Sequence, residues 1–515
     1  MYNLKRSFNF VISMFVIIGM IFSSFALNAT NAEENKYTLT LEGLKGHELE
    51  IYQIFTGDIA EKDGNKVLSN IKYGSSWKNK NGIVEDSFLG KFNNEKTALA
   101  IAKGLLKNNN NISPMNINPT DDGNNVVFKN LDPGYYLVRD KDGSQNKGNK
   151  ENGAYTLYIL KMVGDATAKA KIGVPTVEKF VKEVNDTTGE NSWKKTADHD
   201  IDDEVEFKLE ATLPENYDKY KKYKLIFHDE LSNGFDYVDF SAKGSCTING
   251  SEKKINISYL PVKPNNKNNF TITIDDLKSQ ENLNGLKAGD KIVVTYKAKL
   301  NENAVIGGEG NPNTVYLEYS NNPNKDDDGD TGKTPKDEVR VYTYKLIINK
   351  TDGKNALEGA EFKLQKKING EYKDYSNNFV MQENKTQFIA TGLDAGDYKI
   401  IETKTPNGYN TIKDIEFKID AAHTKENNGE FKLSRLLAKS PTGNSDSEGS
   451  SVINGVELNN DTNAGSLTGN IVNKKGSTLP ETGGMGTKMI YVGGSLFVLL
   501  ALGYLAFDKK YAKNK

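Results

Sequence analysis

Gly396-Asp397-Tyr398-Lys399-Ile400-Ile401-Glu402-Thr403 decides the fold. Successive side chains of a strand point to opposite faces of a sheet. Tyr398, Ile400 and Glu402 therefore share one face, which is apolar except for a single carboxyl. A strand that carries its own acid inward asks for a partner on another strand.

Working outward, the same two-residue period recurs along the chain. Val339–Ile348, Ala360–Leu364, Ile415–Ile419 and a last strand within 466–476 surround the opening stretch. Upstream, Val177–Val184, Val205–Leu213, Tyr223–Asp229, Phe270–Ile274, Lys291–Leu300 and Thr314–Tyr319 follow one another across turns. Many strands without intervening helices predict antiparallel sandwiches. Further upstream, Tyr37–Leu41, Glu48–Phe55, Val126–Leu131, Tyr135–Val138 and Tyr155–Met162 read as strands. Ala98, Ile101, Ala102 and Leu105 recur at helical spacing and place one helix over Glu95–Leu106. The chain thus divides into three mainly β domains, 33–173, 174–338 and 339–476, the first with a small helical insertion. Asn321–Lys336 is polar and holds Asp326, Asp327, Asp328 and Asp330. It reads as a solvated acidic loop, with weak calcium binding left open.

Both ends are of another kind. Lys5 and Arg6, the apolar run Phe8–Phe25 and Thr30-Asn31-Ala32 have the order of a secretory leader cleaved after Ala32. Near the other end, Leu479-Pro480-Glu481-Thr482-Gly483 precedes the uncharged span Met489–Phe507, long enough to cross a bilayer. Lys509, Lys510, Lys513 and Lys515 then form a basic tail that stays inside. Removing both ends takes away seven basic residues and one acid. The remainder has 60 basic against 68 acidic residues, a net −8. That balance argues against nucleic acid as a partner. The single cysteine, Cys246, excludes an internal disulfide, so an exported chain of strands needs another source of durability. The four histidines, His47, His199, His228 and His423, have no metal-ligand spacing. No phosphate-binding glycine loop or serine elbow appears, so neither a cofactor nor an enzyme is expected.

The order of pentapeptide, apolar span and basic tail resembles the cell-wall sorting signal of Gram-positive surface proteins. In that family a sortase cleaves between the residues here numbered Thr482 and Gly483, and an amine captures the Thr carbonyl. The stretch Tyr398–Thr403, with Gly359-Ala360-Glu361-Phe362, resembles the B-type repeat of collagen-binding adhesins and pilins, where Tyr-x-x-x-Glu-Thr is called the E-box. The resemblance implies tandem immunoglobulin-like, collagen-adhesin-type sandwiches in an elongated chain. It also implies a covalent bond between Lys350 and Asn473, with Glu402 between them. Strand parity agrees, since Lys350 shares a face with Leu346 and Ile348, and Asn473 with Ile471. Burial favours the neutral amine of Lys350, which can attack the Asn carbonyl while the acid moves protons, releasing ammonia.

Val174–Val181, Phe227-His228-Asp229-Glu230-Leu231 and Asn311–Val315 look like the middle domain of pilus backbone subunits. The match implies a second set: Lys179, an Asp after a central strand at Asp229, and Asn313. Lys182 and Asn311 are the rivals. Leu131–Asp140 resembles a degenerate E-box with Asp140 in the acid position. Its first strand lacks an inward lysine, so no bond is expected there. In that family a lysine at the end of the first domain receives the next subunit. By position this is Lys171, with Lys169 and Lys161 as alternatives. The resemblance implies a structural shaft subunit of a sortase-assembled pilus. Its partners would be sortase, identical subunits, peptidoglycan and minor tip or base pilins. The alternative is a monomeric wall-anchored adhesin that binds a host matrix ligand.

Overall fold

The computed structural model describes residues 36–476 and 486–511, apart from 63, 93–94, 108–110, 147–152, 170–172, 240, 264–265, 326–329, 377, 428, 442–449 and 454. Strands dominate and fall into three pairs of sheets. The leader, Leu479–Gly483 and Lys171 lie outside the described residues.

Each pair forms because inward side chains of one sheet bury against those of the next. In the first, Thr120–Asp122, Asn125–Leu131, Tyr37–Glu42 and Ala166–Lys169 make a four-stranded sheet, with the last two parallel. A second sheet runs Asn65–Tyr73, Leu49–Lys62, Gly134–Asp140, Leu157–Met162. The helix is present over Glu95–Lys107, with Ala98 and Ala102 in the same core as Phe55, Phe92 and Tyr135. The edge strand Asn65–Tyr73 escapes sequence reading because polar residues interrupt its alternation and most of its side chains are half-exposed. The second pair has two seven-stranded sheets around one large core. The third has a six-stranded and a five-stranded sheet. There the first strand, Tyr344–Thr351, lies parallel to the last, Ser466–Val472, with Lys350 opposite Ile471.

Three boundaries differ from the sequence reading. Val339 does not begin the third unit: Asp337–Tyr342 pairs with Asn311–Ser320 and Thr196–Asp198, and Val339 and Val341 enter the second core. The change of sheet falls at Thr343, between two consecutive strands. Asp229 lies inside the strand Leu225–Leu231 rather than after it. The polar linker contains a short strand, Thr331–Lys333, paired with Glu318–Ser320. The helix Gly486–Tyr511 contains the apolar span Met489–Phe507, none of it buried against the sheets.

A repeated turn aligns the inward acids. Leu131-Asp132-Pro133-Gly134 and Leu393-Asp394-Ala395-Gly396 each precede a tyrosine whose hydroxyl donates back to the turn. Tyr136 donates to the Asp132 carbonyl at 2.8 Å and Tyr398 to that of Asp394 at 3.1 Å. At Gly134 an added Cβ would stand 2.2 Å from the Phe55 carbonyl oxygen, so only glycine fits. Asp140 and Glu402 both lie four residues beyond their tyrosines and both are buried.

Candidate functional site: buried lysines beside acids and amides

In the second sandwich, Lys179 is carried by Thr176–Val184 in one sheet, while Asp229 and Asn313 stand on neighbouring strands of the other. All three are at most 1% exposed. Lys179 Nζ donates to Asp229 Oδ2 at 2.5 Å and to the Tyr296 hydroxyl at 3.0 Å. That hydroxyl donates to Asp229 Oδ1 at 2.8 Å and accepts from Asn313 Nδ2 at 2.7 Å. The Lys179 ammonium lies 5.7 Å from the ring centroid of Phe207 and 5.4 Å from that of Tyr296. Burial lowers the Lys179 pKa to about 8, against the opposing pull of Asp229. Burial raises that of Asp229. Both shifts favour the uncharged pair, an amine next to a carboxylic acid.

The rivals are engaged elsewhere. Lys182 reaches Glu206 at 2.9 Å on the half-exposed outer face. Asn311 spends its amide on backbone: its Oδ1 accepts from Val305 N, and its Nδ2 donates to the carbonyls of Val305 and Val341.

The third sandwich arranges the same groups differently. Lys350 belongs to one of two neighbouring parallel strands, and Asn473 immediately follows the other, its N–H donating to the Thr351 carbonyl at 3.1 Å. Glu402 comes from the facing sheet on Gly396–Lys404. Asn473 Nδ2 donates to both Glu402 oxygens and to the Asn410 carbonyl. Glu402 Oε2 also accepts from Thr405 Oγ1 and Ile412 N. Among the described residues, Lys350 Nζ donates to the backbone carbonyls of Ile471 and Thr351, at 3.1 and 3.2 Å. Burial lowers its pKa.

One feature is common to both clusters. Asn313 Oδ1 and Asn473 Oδ1 are buried without a hydrogen-bond partner among the described residues, while Nδ2 is held by the Tyr296 hydroxyl in the first case and by Glu402 in the second. An orphaned buried carbonyl oxygen is costly in a resting structure. It suits an amide about to lose its nitrogen: the departing amine lies against the proton source, and the carbonyl is not tied into another bond.

In the first sandwich the corresponding acid serves another purpose. Asp140 Oδ1 binds His47 Nδ1 at 2.7 Å and accepts from Gln145 Nε2 at 2.8 Å; Oδ2 accepts from Thr156 N. Among the described residues its side-chain partners are an imidazole and a carboxamide, which cannot repeat the condensation. Of the acceptor alternatives, Lys169 ends the strand Ala166–Lys169 and is exposed. Lys161 is half-buried, and burial lowers its pKa.

Sequence reading passed over a third buried lysine. Lys366, 1% exposed, lies where the second and third sandwiches meet. Its ammonium binds Asp186 at 2.6 Å and Asp394 at 2.8 Å, and also Asp200. Burial alone would lower the Lys366 pKa, but Asp394, Asp200 and Asp186 outweigh it and raise it. The ammonium fills the space among the three carboxylates that a metal ion would need. The same junction is laced by Ile201 N to Gly392 O, Asn369 N to Asp186 O and Gly308 N to Asn463 O. Gly307 and Gly465 touch there, and a Cβ on the former would stand 2.3 Å from the latter's nitrogen. The signal was present in the sequence: Lys366 shares parity with the buried Phe362 and Leu364.

Residues 344–433 match the family model of the SpaA prealbumin-like fold domain. The trypsin-resistant surface T6 protein of Streptococcus pyogenes serotype M6 is 27% identical over 405 residues, which cover 67% of this chain and 71% of that protein. The solved T6 backbone pilin of serotype M6 S. pyogenes, a modular three-domain structure, aligns with a TM-score of 0.52 at 19% identity, covering 87% of this chain and 100% of that one. The full-length major pilin SpaD of Corynebacterium diphtheriae aligns at 18% identity with a TM-score of 0.45, covering 88% and 100%. The fold is thus that of a modular backbone pilin.

Proposed function

We propose that this homologue of the T6 protein is the structural shaft subunit of a covalently polymerised cell-surface pilus. The observation that carries the reading is the pair of buried lysine–acid–asparagine clusters in successive sandwiches. Each holds the groups for one condensation. The amine of Lys179 or Lys350 attacks the side-chain carbonyl of Asn313 or Asn473. An amide forms, the carbon–nitrogen bond of the old carboxamide breaks, and ammonia leaves. Asp229 or Glu402 moves the protons. No oxidant or cofactor is required, and each bond forms once, without turnover.

Assembly uses the ends. Sortase joins Thr482 of one subunit to Lys171 of the next, and the helix Gly486–Tyr511 holds the precursor in the membrane until cleavage. Such head-to-tail contacts are heterologous and do not close, so the polymer grows as a fibre. The test is a denaturing gel of cell-wall extracts probed for this chain. A ladder is expected, and Lys171→Ala should collapse it while monomer stays on the wall. A single wall-linked species in the unaltered protein would overturn the shaft reading in favour of a monomeric adhesin. A ladder that survives Lys171→Ala moves the acceptor to Lys169 and then Lys161. If it survives all three changes, the shaft reading fails as well.

A further inference from the structure

The two clusters differ in how the acid reaches the amide. In the third sandwich Glu402 touches Asn473 Nδ2 directly, at 2.9 and 3.0 Å. In the second, the group against Asn313 Nδ2 is the Tyr296 hydroxyl at 2.7 Å, and Asp229 stands behind that hydroxyl at 2.8 Å. We propose that Tyr296 is a catalytic residue of the second-domain condensation, relaying the proton from Asp229 to the departing nitrogen of Asn313. The proposal rests on the reading that Lys179 and Asn313 condense.

The geometry fits the role. Tyr296 belongs to Lys291–Leu300 and is 1% exposed. Its ring is fixed by stacking on Phe207, centroids 5.3 Å apart, and by an edge contact with Phe270 at 5.2 Å. Its oxygen therefore stays within hydrogen-bond reach of the nucleophile, the acid and the leaving group together. A phenol is both donor and acceptor, and its hydrogen rotates to suit. Burial raises the Tyr296 pKa well above the usual value, so it keeps the proton that a relay needs.

The step balances. The Lys179 Nζ lone pair forms a bond to Asn313 Cγ, and the carbonyl pair moves onto Oδ1. Tyr296 gives its hydroxyl proton to Nδ2 and regains one from the protonated Asp229. The Asp229 carboxylate so formed takes one Nζ proton. The Cγ–Nδ2 bond breaks, the carbonyl re-forms and ammonia departs. Asp229 and Tyr296 return to their starting forms. In the third sandwich Glu402 touches Asn473 Nδ2 directly, so no aromatic relay to the departing nitrogen is needed.

The test is kinetic. The helix Gly486–Tyr511 is exposed along its described length and contributes nothing to the sheets, so chain 33–482 is the unit to use. It is recovered unfolded from inclusion bodies, refolded, quenched in acid at intervals and weighed intact. Glu402→Ala confines ammonia loss to the second domain and Asp229→Ala to the third. Adding Tyr296→Phe to Glu402→Ala should slow the loss at least tenfold. Tyr237→Phe, which removes a neighbouring buried hydroxyl outside the cluster, should not. In the otherwise unaltered chain, Tyr296→Phe should still lose the third-domain ammonia at the normal rate. Equal rates with and without the Tyr296 hydroxyl would overturn the relay alone. A Glu402→Ala chain that never loses ammonia would overturn the condensation itself. Should Tyr296→Phe fail to fold, mixtures of light and heavy water decide with the natural residue. Two protons in flight bend the plot of second-domain rate against deuterium fraction, and a straight line overturns the relay.

Discussion

Asn473 donates its side-chain amide to both oxygens of Glu402, at 2.9 and 3.0 Å, across the two sheets of the third sandwich. The acid therefore stands at the nitrogen that condensation would expel. The mature chain should weigh less than its sequence by two molecules of ammonia. Glu402→Ala should restore one and Asp229→Ala the other, because each acid serves its own domain. Intact-mass spectrometry reads both, and a wild-type chain at full sequence mass would remove the two bonds together.

Loss of a bond should weaken its domain without erasing the fold. A cross-link that closes a loop of more than a hundred residues stabilises by about 4–5 kcal/mol in the chain-entropy treatment of disulfides. Lys350→Ala should lower the melting temperature of the third domain and expose it to trypsin, with the second domain unchanged. Scanning calorimetry and timed digestion measure this. Identical melting of variant and parent would mean that the bond is absent or idle.

Lys179 gives a pH signature only while it is unreacted. Its folded pKa of about 8 lies below the ordinary 10.5, so the folded chain binds fewer protons than the unfolded one between those values. The burial penalty is full below about 8 and fades as pH rises toward 10.5. Asn313→Ala keeps the amine but removes its target. Its second domain should gain roughly 2 kcal/mol from pH 7.5 to 10 relative to Asn313→Ala with Lys179→Met. The bonded parent should lack this slope. Denaturant melts at the two values provide the comparison.

The junction between the second and third sandwiches depends on Lys366. Lys366→Met would leave Asp186, Asp200 and Asp394 facing one another without a cation. Removing one partner of a buried ionic cluster costs about 3–5 kcal/mol. The two sandwiches should then melt separately and be cut between residues 339 and 344. Lys363→Met, which breaks only an exposed pair with Asp374, should cost less than about 1 kcal/mol.

Much of this was legible from alternation alone. Lys291–Leu300 matches its expected bounds, and Lys179, Lys350 and Asn473 are buried as their parity requires. Tyr296 was not legible: in a strand of alternating apolar residues a tyrosine passes for core, and its three hydrogen-bond partners come from three other strands. Asn311 and Asn313 share parity, so only the backbone partners of Asn311 separate them. Lys366 stayed hidden for a different reason. Its parity pointed inward, but its counter-charges Asp186 and Asp200 belong to another sandwich, beyond the reach of any local pattern.

The parallel pairing of Tyr344–Thr351 with Ser466–Val472 has a mechanical consequence. Once Lys350 is bonded to Asn473, tension entering from Thr482 passes directly from position 473 to position 350. It continues up the first strand to Asn313, crosses to Lys179 and leaves the second sandwich. Positions 351–472 and 180–312 then hang beside the tensioned line rather than within it. A fibre built this way would resist stretching through a small fraction of its residues, leaving the rest free to change without loss of tensile strength.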